Sequence, residues 1–476
     1  MPLSQKLGLF LGPLLFLLVN NLPFELVSEA GDTVIAVALW MIVWWISEAV
    51  SISVTALLPL FLFPLLKVMP IDDVGANYGS PIVFLFFGGF VLALALEKVN
   101  LHKRIALNII KLTGTTPNKV ILGFMIATAS LSMWISNTAT AVVMLPIAMS
   151  VIGLLVNDED GFTKSDQNFS LSVMLGIAFA ANAGGIATVI GTPPNSVMIG
   201  LLENQYNIEI SFLKWMVIGV PFSIVLIAIS YLVLVKLMYP SRQLKFTASK
   251  EVIHDELQKL GPMSGKEKMV MAIFGVTVFL WIFRTVINDI FPGLKLNDTM
   301  ISMMAAVAMF TIPYNLKKGD FLIEWKDTQK LAWGILILFG GGLALAEAMQ
   351  VSGIVDLVAN AIASSEISVL LTASLLIVLM LFMTELMSNV ALVAVLAPVV
   401  AGIALGLGLP IVYLLIPVTM ASSCAFMLPM ATPPNAIVFA SGYIKVHEMA
   451  RVGIILNLIA SVILILMFQF VIPLLF

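Results

Sequence analysis

Two short polar motifs interrupt long apolar stretches of this sequence and carry side chains suited to binding a cation. The first motif contains Ser132, Ser136, Asn137 and Thr138, and the second contains Thr384, Ser388, Asn389 and Val390. Ser132 stands four positions before Ser136, and Thr384 four positions before Ser388. Residues four positions apart share one face of a helix, so each motif places two hydroxyls on one face, next to an asparagine. Hydroxyl, amide and carbonyl oxygens are the ligands that a hard cation prefers. The motifs therefore predict sodium-type sites, at which the cation satisfies irregular backbone inside the membrane.

A Thr-Pro-Pro-Asn sequence also occurs twice, at 192–195 and 432–435. Threonine is favoured just before a helix and proline at its first position, so helices should restart at Pro193 and Pro433. The positive end of a helix binds carboxylate or phosphate, and helices restarting after Asn137 and Asn389 would add two more such ends. No Lys, Arg or His occurs from 120 to 163 or from 331 to 444. An anion bound here would be held by helix ends, amides and hydroxyls, with the cation supplying charge.

Each motif also has a purely structural interpretation. Small polar residues often pack between membrane helices, and a pair of prolines often only kinks a helix. The repetition of both motifs favours binding, because packing alone gives no reason for matched copies. For Glu385, within the second motif, anchoring of the local turn is the first hypothesis and proton coupling the second.

Membrane helices must position these motifs. Hydrophobic residues make up 60% of the 476-residue chain and charged residues only 11%, against about 25% charged in soluble domains. A span needs about 20 apolar residues, which predicts an all-α polytopic protein with about eleven transmembrane helices. The predicted spans are 7–23, 33–47, 52–66, 81–97, 171–201, 214–239, 268–290, 298–314, 331–350, 411–442 and 451–475. The stretches 120–156 and 367–408, which contain the Ser-Asn motifs, are each predicted to form a re-entrant hairpin.

The basic residues predict the orientation of the chain. They cluster in 98–119, 240–268 and 313–330 and at Lys445 and Arg451, which all fall on one side of an eleven-span protein. The positive-inside rule makes this side cytoplasmic, so the N-terminus is predicted inside and the C-terminus outside. The acidic segment 157–164 falls on the same side, but acidic residues weigh little in the rule.

Several function classes are disfavoured. A net charge of −3 gives no field that would recruit nucleic acid, and the single cysteine, Cys424, permits no internal disulfide. No nucleophile–base pair or metal-ligand spacing is visible, so an enzyme is not expected. The lack of a continuous polar stripe argues against a channel.

The chain contains an internal repeat. Phe87, Gly88 and Gly89 match residues 339–341, which lie 252 positions later, and the two Ser-Asn pairs are separated by the same 252 positions. The sequences GTPPN and ATPPN also match, at a separation of 240 positions. The loop after the first glycine pair is basic and that after the second is acidic, so the two repeats are predicted to be inverted. The predicted organisation is an N-terminal helix (1–32), repeat one (33–239), a cytoplasmic linker (240–267) and repeat two (268–476). Inverted repeats with interrupted helices are typical of secondary transporters.

Together, the paired Ser-Asn motifs, GTPPN and ATPPN resemble the divalent anion/sodium symporter family of di- and tricarboxylate transporters. The stretches 44–60 and 123–148 are similar to its bacterial dicarboxylate members. The resemblance implies a homodimer that works by an elevator-type alternating-access cycle. It implies one sodium site of Ser132, Ser136, Asn137 and the Gly185 carbonyl, and another of Thr384, Asn389 and carbonyls near Met387 and Ala431. The implied substrate-binding residues are Ser136, Asn137, Thr138, Ser388, Asn389, Val390 and Pro433.

Val390 departs from the family pattern, in which the second motif is commonly Ser-Asn-Thr. A hydroxyl is lost at the implied substrate site, which leaves open how one carboxylate is held.

The expected function is sodium-coupled import of C4-dicarboxylates such as succinate, malate or fumarate across the inner (plasma) membrane. The alternatives are a sodium-independent dicarboxylate exchanger of the same fold and, less favoured, a transporter for sulfate or another divalent anion.

Overall fold

The computed structural model describes residues 1–22, 25, 27–114, 116–156, 163–241, 249–315, 317, 319–365 and 367–476. Most of the acidic segment 157–164 and residues 242–248, near the start of the predicted linker, lie outside these residues. Most of the described residues are helical, as the composition predicts. A two-stranded antiparallel sheet joins β1 (Pro313–Asn315) and β2 (Asp320–Phe321).

Before the linker, the residues that the structure describes form twelve α-helices. They are α1 (Leu3–Asn20), α2 (Glu29–Ser47), α3 (Ile52–Thr55), α4 (Leu58–Leu65), α5 (Ile71–Tyr78), α6 (Pro81–Lys98), α7 (Leu101–Thr113), α8 (Pro117–Ser132), α9 (Asn137–Val156), α10 (Lys164–Gly185), α11 (Pro193–Tyr206) and α12 (Phe212–Leu232). A π-helical segment, Val233–Met238, extends α12.

Eleven α-helices follow in the described part of the second half. They are α13 (Ser249–Leu260), α14 (Gly265–Ile290), α15 (Asp298–Thr311), α16 (Trp333–Val351), α17 (Ile354–Ala363), α18 (Val369–Met383), α19 (Asn389–Gly406), α20 (Ile411–Ser422), α21 (Pro433–Phe439), α22 (Val446–Leu466) and α23 (Ile472–Leu475). A 3₁₀ helix, Trp325–Lys330, precedes α16, and a π-helical segment, Met467–Val471, separates α22 from α23.

Eight helical segments of the described chain are long and apolar enough to cross a membrane, and several shorter apolar helices accompany them. Four predicted spans differ in detail. The spans 171–201 and 411–442 are each divided into two helices, α10–α11 and α20–α21. The span 52–66 is divided into α3 and α4 near Pro59, and 298–314 ends at Thr311, just before Pro313. Proline has no N–H to donate to the preceding turn, which accounts for both of these differences.

Four short α-helices of the described residues lie outside the predicted spans and hairpins: α5, α7, α13 and α17. Each has 8 to 13 residues, too few for the 20-residue apolar stretch on which the prediction of spans relied. The helix α7 lies immediately before the first predicted hairpin and α17 immediately before the second. They therefore form part of the frame from which the hairpins emerge.

Three of the predicted basic segments, 98–119, 240–268 and 313–330, meet at one end of the helical bundle. Three ion pairs join them: Lys98 with Asp327 at 2.6 Å, Lys103 with Glu256 at 2.8 Å, and Arg104 with Glu267 at 2.6 Å. Hydrogen bonds from Lys103 and Lys259 lower the pKa of Glu256 below its usual range. We call this end the basic rim.

The opposite end of the bundle carries its own contacts. Arg284 forms an ion pair with Glu209 at 2.8 Å. The Lys214 ammonium lies 3.8 Å from the ring centre of Phe476, at the C-terminus. We call this end the opposite rim.

Both predicted hairpins are present, and each begins and ends at a single rim. In the first, formed by α8 and α9, Asn118 accepts a hydrogen bond from Ser241 at 3.5 Å, and Asn168 donates to the Pro240 carbonyl at 3.0 Å. The chain therefore returns to the basic rim after α9. The second hairpin, formed by α18 and α19, begins after α17 and returns to it. There, a Cβ on Gly406 would stand 2.3 Å from the Ala359 carbonyl.

The helix α10 lies at the centre of the packing. Every residue from Phe169 to Gly185 is buried, and the helix contacts α8, α9, α12 and α21. A helix that is apolar or small on every side is suited to such a position. The end of α10 at Gly185 thus falls inside the protein rather than at a rim.

Candidate functional site

The tip of the first hairpin, residues 133–136, contacts the end of α10. The Ser132 hydroxyl donates to the Ala181 carbonyl at 2.7 Å. The side-chain amide of Asn137 lies 2.5 Å from the Ser132 oxygen. The same end of this amide faces the carbonyls of Ala181 and Gly191 at 3.2 and 3.3 Å. The first motif therefore brings several oxygen atoms to one point beside a broken helix.

Residues 186–192, which we call the first unwound stretch, connect α10 to α11. The Asn195 amide donates to the Thr188 carbonyl at 2.8 Å, and the Trp215 indole donates to the Ile186 carbonyl at 2.9 Å. The stretch is tightly folded, since a Cβ on Gly191 would stand 2.4 Å from the Gly185 carbonyl. These donors satisfy carbonyls that a continuous helix would otherwise pair.

The second hairpin repeats the main contact of the first. The Thr384 hydroxyl donates to the Ser422 carbonyl at 2.5 Å, as the Ser132 hydroxyl does to the Ala181 carbonyl. Ser388 and Asn389 stand at the start of α19, and both are half-buried. Both hairpin tips thus place a hydroxyl on the end of a broken helix.

Glu385 distinguishes the second tip from the first. Its carboxylate accepts hydrogen bonds from the backbone N–H groups of Phe426, Met427 and Leu428 at 2.8 to 3.1 Å. The Asn457 amide of α22 also donates to it, at 2.8 Å. Glu385 therefore anchors the tip to residues 423–432, which we call the second unwound stretch. The first half has Met133 at the corresponding position.

Both Thr-Pro-Pro-Asn sequences begin helices at the predicted prolines. The helix α11 begins at Pro193 and α21 at Pro433. The threonine before each is at the N-cap position, although only the Thr432 side chain accepts a capping hydrogen bond, from Asn435 N. The two Ser-Asn motifs likewise begin α9 and α19. Four helices thus start inside the protein.

The packing of these four helices crosses between the halves. The helix α9 of the first hairpin packs against α21, and α19 of the second hairpin packs against α11. The first crossing is the more open, because Ser136, Thr138 and Pro433 are exposed. At the second, Val390 is half-buried. Each crossing therefore combines a Ser-Asn motif from one half with a Thr-Pro-Pro-Asn motif from the other.

The structure groups the residues of the first predicted sodium site more clearly than those of the second. Ser132, Asn137 and Gly185 form one cluster. Met387 and Ala431 are buried near the second tip, but no hydrogen bond joins either of them to Asn389 in the described chain. The grouping of the second set therefore stays a prediction.

Three asparagines of this region were missed by sequence reasoning. Asn195 and Asn435 are fully buried and donate to carbonyls of the unwound stretch in their own half. Their recurrence in both Thr-Pro-Pro-Asn copies was the available signal. Asn182, in α10, reaches the second half and has no counterpart that a repeat comparison would have revealed.

The chemistry of the site is that of binding. Over the residues that the structure covers, no group of three or more His, Cys, Asp or Glu side chains is arranged to hold a metal ion. The oxygens that converge are those of hydroxyls, amides and main-chain carbonyls, which suit a hard cation. The starts of four helices supply N–H groups that suit an anion.

Paired hairpins and broken helices that meet within the bundle are the architecture of a multi-pass membrane transporter. Residues 5–476 match the family described as the sodium:sulfate symporter transmembrane region, and the chain belongs to this family. This confirms the predicted family resemblance and makes the protein a transporter rather than an enzyme.

Named relatives are similar over nearly the whole chain. The sodium-dependent dicarboxylate transporter SdcS of Staphylococcus saprophyticus is 40% identical over 478 residues, which cover 99% of this chain and 92% of that protein. The protein of the same name from Staphylococcus aureus is 39% identical over 481 residues, with the same coverage.

Two solved structures share the fold at low sequence identity. The YdaH transporter of Alcanivorax borkumensis has a TM-score of 0.54 at 12% identity and covers 84% of this chain and 88% of its own. The MtrF protein of Neisseria gonorrhoeae, from a class of antimetabolite efflux pumps, has a TM-score of 0.53 at 11% identity. It covers 98% of this chain and 94% of its own.

Proposed function

We propose that the protein imports C4-dicarboxylates such as succinate, malate and fumarate, coupled to sodium. The observation that carries the proposal is the pair of hairpin tips, each with a hydroxyl on the end of a broken helix beside a Ser-Asn motif. The names of the staphylococcal relatives support both the cation and the substrate class.

The first cation site consists of Ser132, Ser136, Asn137 and the Gly185 carbonyl. With its nitrogen toward the cluster, the Asn137 amide donates to the surrounding oxygens. With its oxygen toward them, the amide adds another ligand for Na⁺. The shape of an amide side chain does not distinguish these two orientations. By analogy, the second site consists of Thr384, Asn389 and carbonyls near Met387 and Ala431.

The substrate carboxylates bind where the helices cross. The residues assigned to them are Ser136, Asn137, Thr138, Ser388, Asn389, Val390 and Pro433. Helix starts carry a partial positive charge of about half a unit, and no basic residue lies from 120 to 163 or from 331 to 444. Bound Na⁺ therefore supplies the charge that arginine would supply elsewhere. This accounts for coupling, because the anion is held poorly without the cation.

Transport proceeds by an elevator movement between two inverted halves. The hairpins and the broken helices pack on one another across the halves, so they are suited to moving as one body. In keeping with the family resemblance, the protein is a homodimer in the plasma membrane. Its N-terminus is cytoplasmic and its C-terminus is outside. The basic rim faces the cytoplasm, as the positive-inside rule requires.

Uptake by proteoliposomes tests the proposal. Radiolabelled succinate should accumulate when external Na⁺ is present and should not when choline replaces it. Unlabelled malate and fumarate should compete strongly, and sulfate weakly. Strong counterflow of succinate without Na⁺ would instead establish an exchanger. The description of the family favours sulfate as the second candidate substrate, and sulfate competing better than succinate would establish it.

A further inference from the structure

We propose that Asn182 couples the two cation sites, so that occupancy of one changes the affinity of the other. Asn182 belongs to α10, in the first half, and its side chain contacts the second half. The inference rests on the proposed function, since it concerns the sites assigned above.

The contacts of Asn182 join the two broken helices. Its amide nitrogen lies 2.9 Å from the Ala425 carbonyl, 3.1 Å from Thr432 Oγ1 and 3.3 Å from Asn435 Oδ1. Ala425 and Thr432 belong to the second unwound stretch, and Asn435 lies at the start of α21. A single side chain of the first half thus contacts both ends of the second unwound stretch.

The position of Asn182 in the backbone connects it to the first site. The preceding carbonyl, of Ala181, accepts the Ser132 hydroxyl and faces the Asn137 amide. A peptide group is planar, so the Ala181 carbonyl and the Asn182 Cα belong to one rigid unit. A cation that reorients oxygens around this carbonyl therefore moves the base of the Asn182 side chain.

The surroundings transmit this movement rather than absorb it. Asn182 is 1% exposed, in a fully buried part of α10. One turn earlier on the same helix, the Phe179 ring meets the Phe426 ring edge-on at 5.3 Å. The backbone N–H of Phe426 is also held by Glu385 of the second tip. Close-packed interiors shift between discrete arrangements and do not deform freely.

Only the first half supplies such a contact in the described part of the chain. The offset of 240 between the two Thr-Pro-Pro-Asn copies takes Asn182 onto Ser422, which is followed by Ser423. The Ser422 hydroxyl donates within its own helix, and the Ser423 hydroxyl has no partner in the structure. Among the residues that the structure describes, Asn182 alone forms side-chain hydrogen bonds between the broken helix of one half and that of the other. Its removal should therefore uncouple the sites.

Hydrogen exchange of the purified full-length protein, without substrate, tests the coupling. Peptides covering 130–140 and 181–192 report the first site, and peptides covering 384–390 and 422–432 report the second. Thr384→Ala weakens the second site directly. In the otherwise wild-type chain it should also raise, about five-fold or more, the Na⁺ concentration that half-protects the first-site peptides. In an Asn182→Ala background, Thr384→Ala should leave that concentration unchanged.

Uptake measurements give an independent readout of the same property. Asn182→Ala should lower the Hill coefficient for Na⁺ below the wild-type value, because the contribution of coupling between the sites is lost. The coefficient should stay above 1, because uptake still requires both sites to be filled. The matched control is Ser170→Ala, also in α10, whose buried hydroxyl donates to the Asp166 carbonyl of its own helix. This control should leave both the Hill coefficient and the Na⁺ midpoint at the wild-type values.

A second variant removes the contact from the other side, in case Asn182→Ala does not fold. Thr432→Val deletes one acceptor of the Asn182 amide and should reduce the effect of Thr384→Ala on the first site. The proposal is overturned if Thr384→Ala shifts the first-site midpoint equally with and without the contact. If Na⁺ protects neither set of peptides in the wild-type chain, the cation sites themselves fail, and the coupling fails with them.

Discussion

Gly185 lies so close to Asn137 that a Cβ on the glycine would stand 2.5 Å from the end of the asparagine amide that faces Ser132. Real Cβ atoms essentially never approach another atom so closely. The end of α10 can therefore meet the first hairpin tip only because residue 185 has no side chain. The close approach is also what brings the Gly185 carbonyl within the proposed cation site.

Gly185→Ala should sharply weaken sodium-dependent uptake. The added methyl group displaces the Asn137 amide, so the loss should appear as a raised Na⁺ requirement, with the protein still folded. The measurement is succinate uptake against Na⁺ concentration, together with thermal unfolding. The control is Gly275→Ala in α14, where a Cβ meets nothing within 4 Å. Alanine in a helix interior is more stable than glycine by about 0.5–1 kcal/mol, so this variant should be fully active.

Asn137→Ala and Asn389→Ala should each abolish uptake at ordinary Na⁺ concentrations. A hydrogen bond or ligand to a charged group contributes about 1.5–3 kcal/mol, so Na⁺ affinity should fall by roughly ten-fold to a hundred-fold. Sodium-dependent uptake in proteoliposomes is the measurement. Asn360→Ala, at an exposed position of α17, controls for loss of an asparagine. Near-normal uptake by both site variants would show that neither amide is a ligand of the proposed sodium sites.

Local sequence signals predicted the broken parts of this fold well. The four internal helix starts at Asn137, Pro193, Asn389 and Pro433 follow from residues that cap or begin helices, and these preferences act over one turn. The hairpins followed from apolar stretches with polar centres. Each signal is contained in one continuous stretch of the chain, 120–156 or 367–408 for the hairpins and about one turn for a helix start, so one sequence suffices to detect them.

Contacts between segments that are far apart in the chain could not be predicted from the sequence. That α9 packs against α21, and α19 against α11, depends on how two whole halves interlock, and no local pattern encodes it. The sequence suggested that Glu385 anchors its turn, but it did not identify the partners Phe426 and Asn457, because these lie 41 and 72 residues away. The helices α7 and α17 were missed for a different reason, since neither is long enough to register as a span.

Val390→Thr should change substrate preference more than sodium affinity. The substitution restores the hydroxyl that the family motif commonly carries, and Val390 is half-buried at the start of α19, where the substrate is proposed to bind. Competition of succinate uptake by citrate, malate and sulfate, measured at several Na⁺ concentrations, separates the two effects. Thr138→Val makes the reverse change at the position 252 residues earlier and should weaken succinate binding. If Val390→Thr instead greatly changed the Na⁺ concentration for half-maximal uptake and left substrate preference unchanged, Val390 would belong to a sodium site rather than to the substrate site.

The proposed orientation can be tested by labelling single cysteines in intact cells. Lys295 and Lys326 are both exposed; Lys295 lies in the loop between α14 and α15 at the opposite rim, and Lys326 lies in the 3₁₀ helix at the basic rim. With the basic rim in the cytoplasm, a membrane-impermeant maleimide should label Lys295→Cys in intact cells and Lys326→Cys only after permeabilisation. The native Cys424 is fully buried, so unmodified protein gives the background. Labelling of Lys326→Cys but not of Lys295→Cys in intact cells would contradict the proposed orientation, because it would place the basic rim outside the cell.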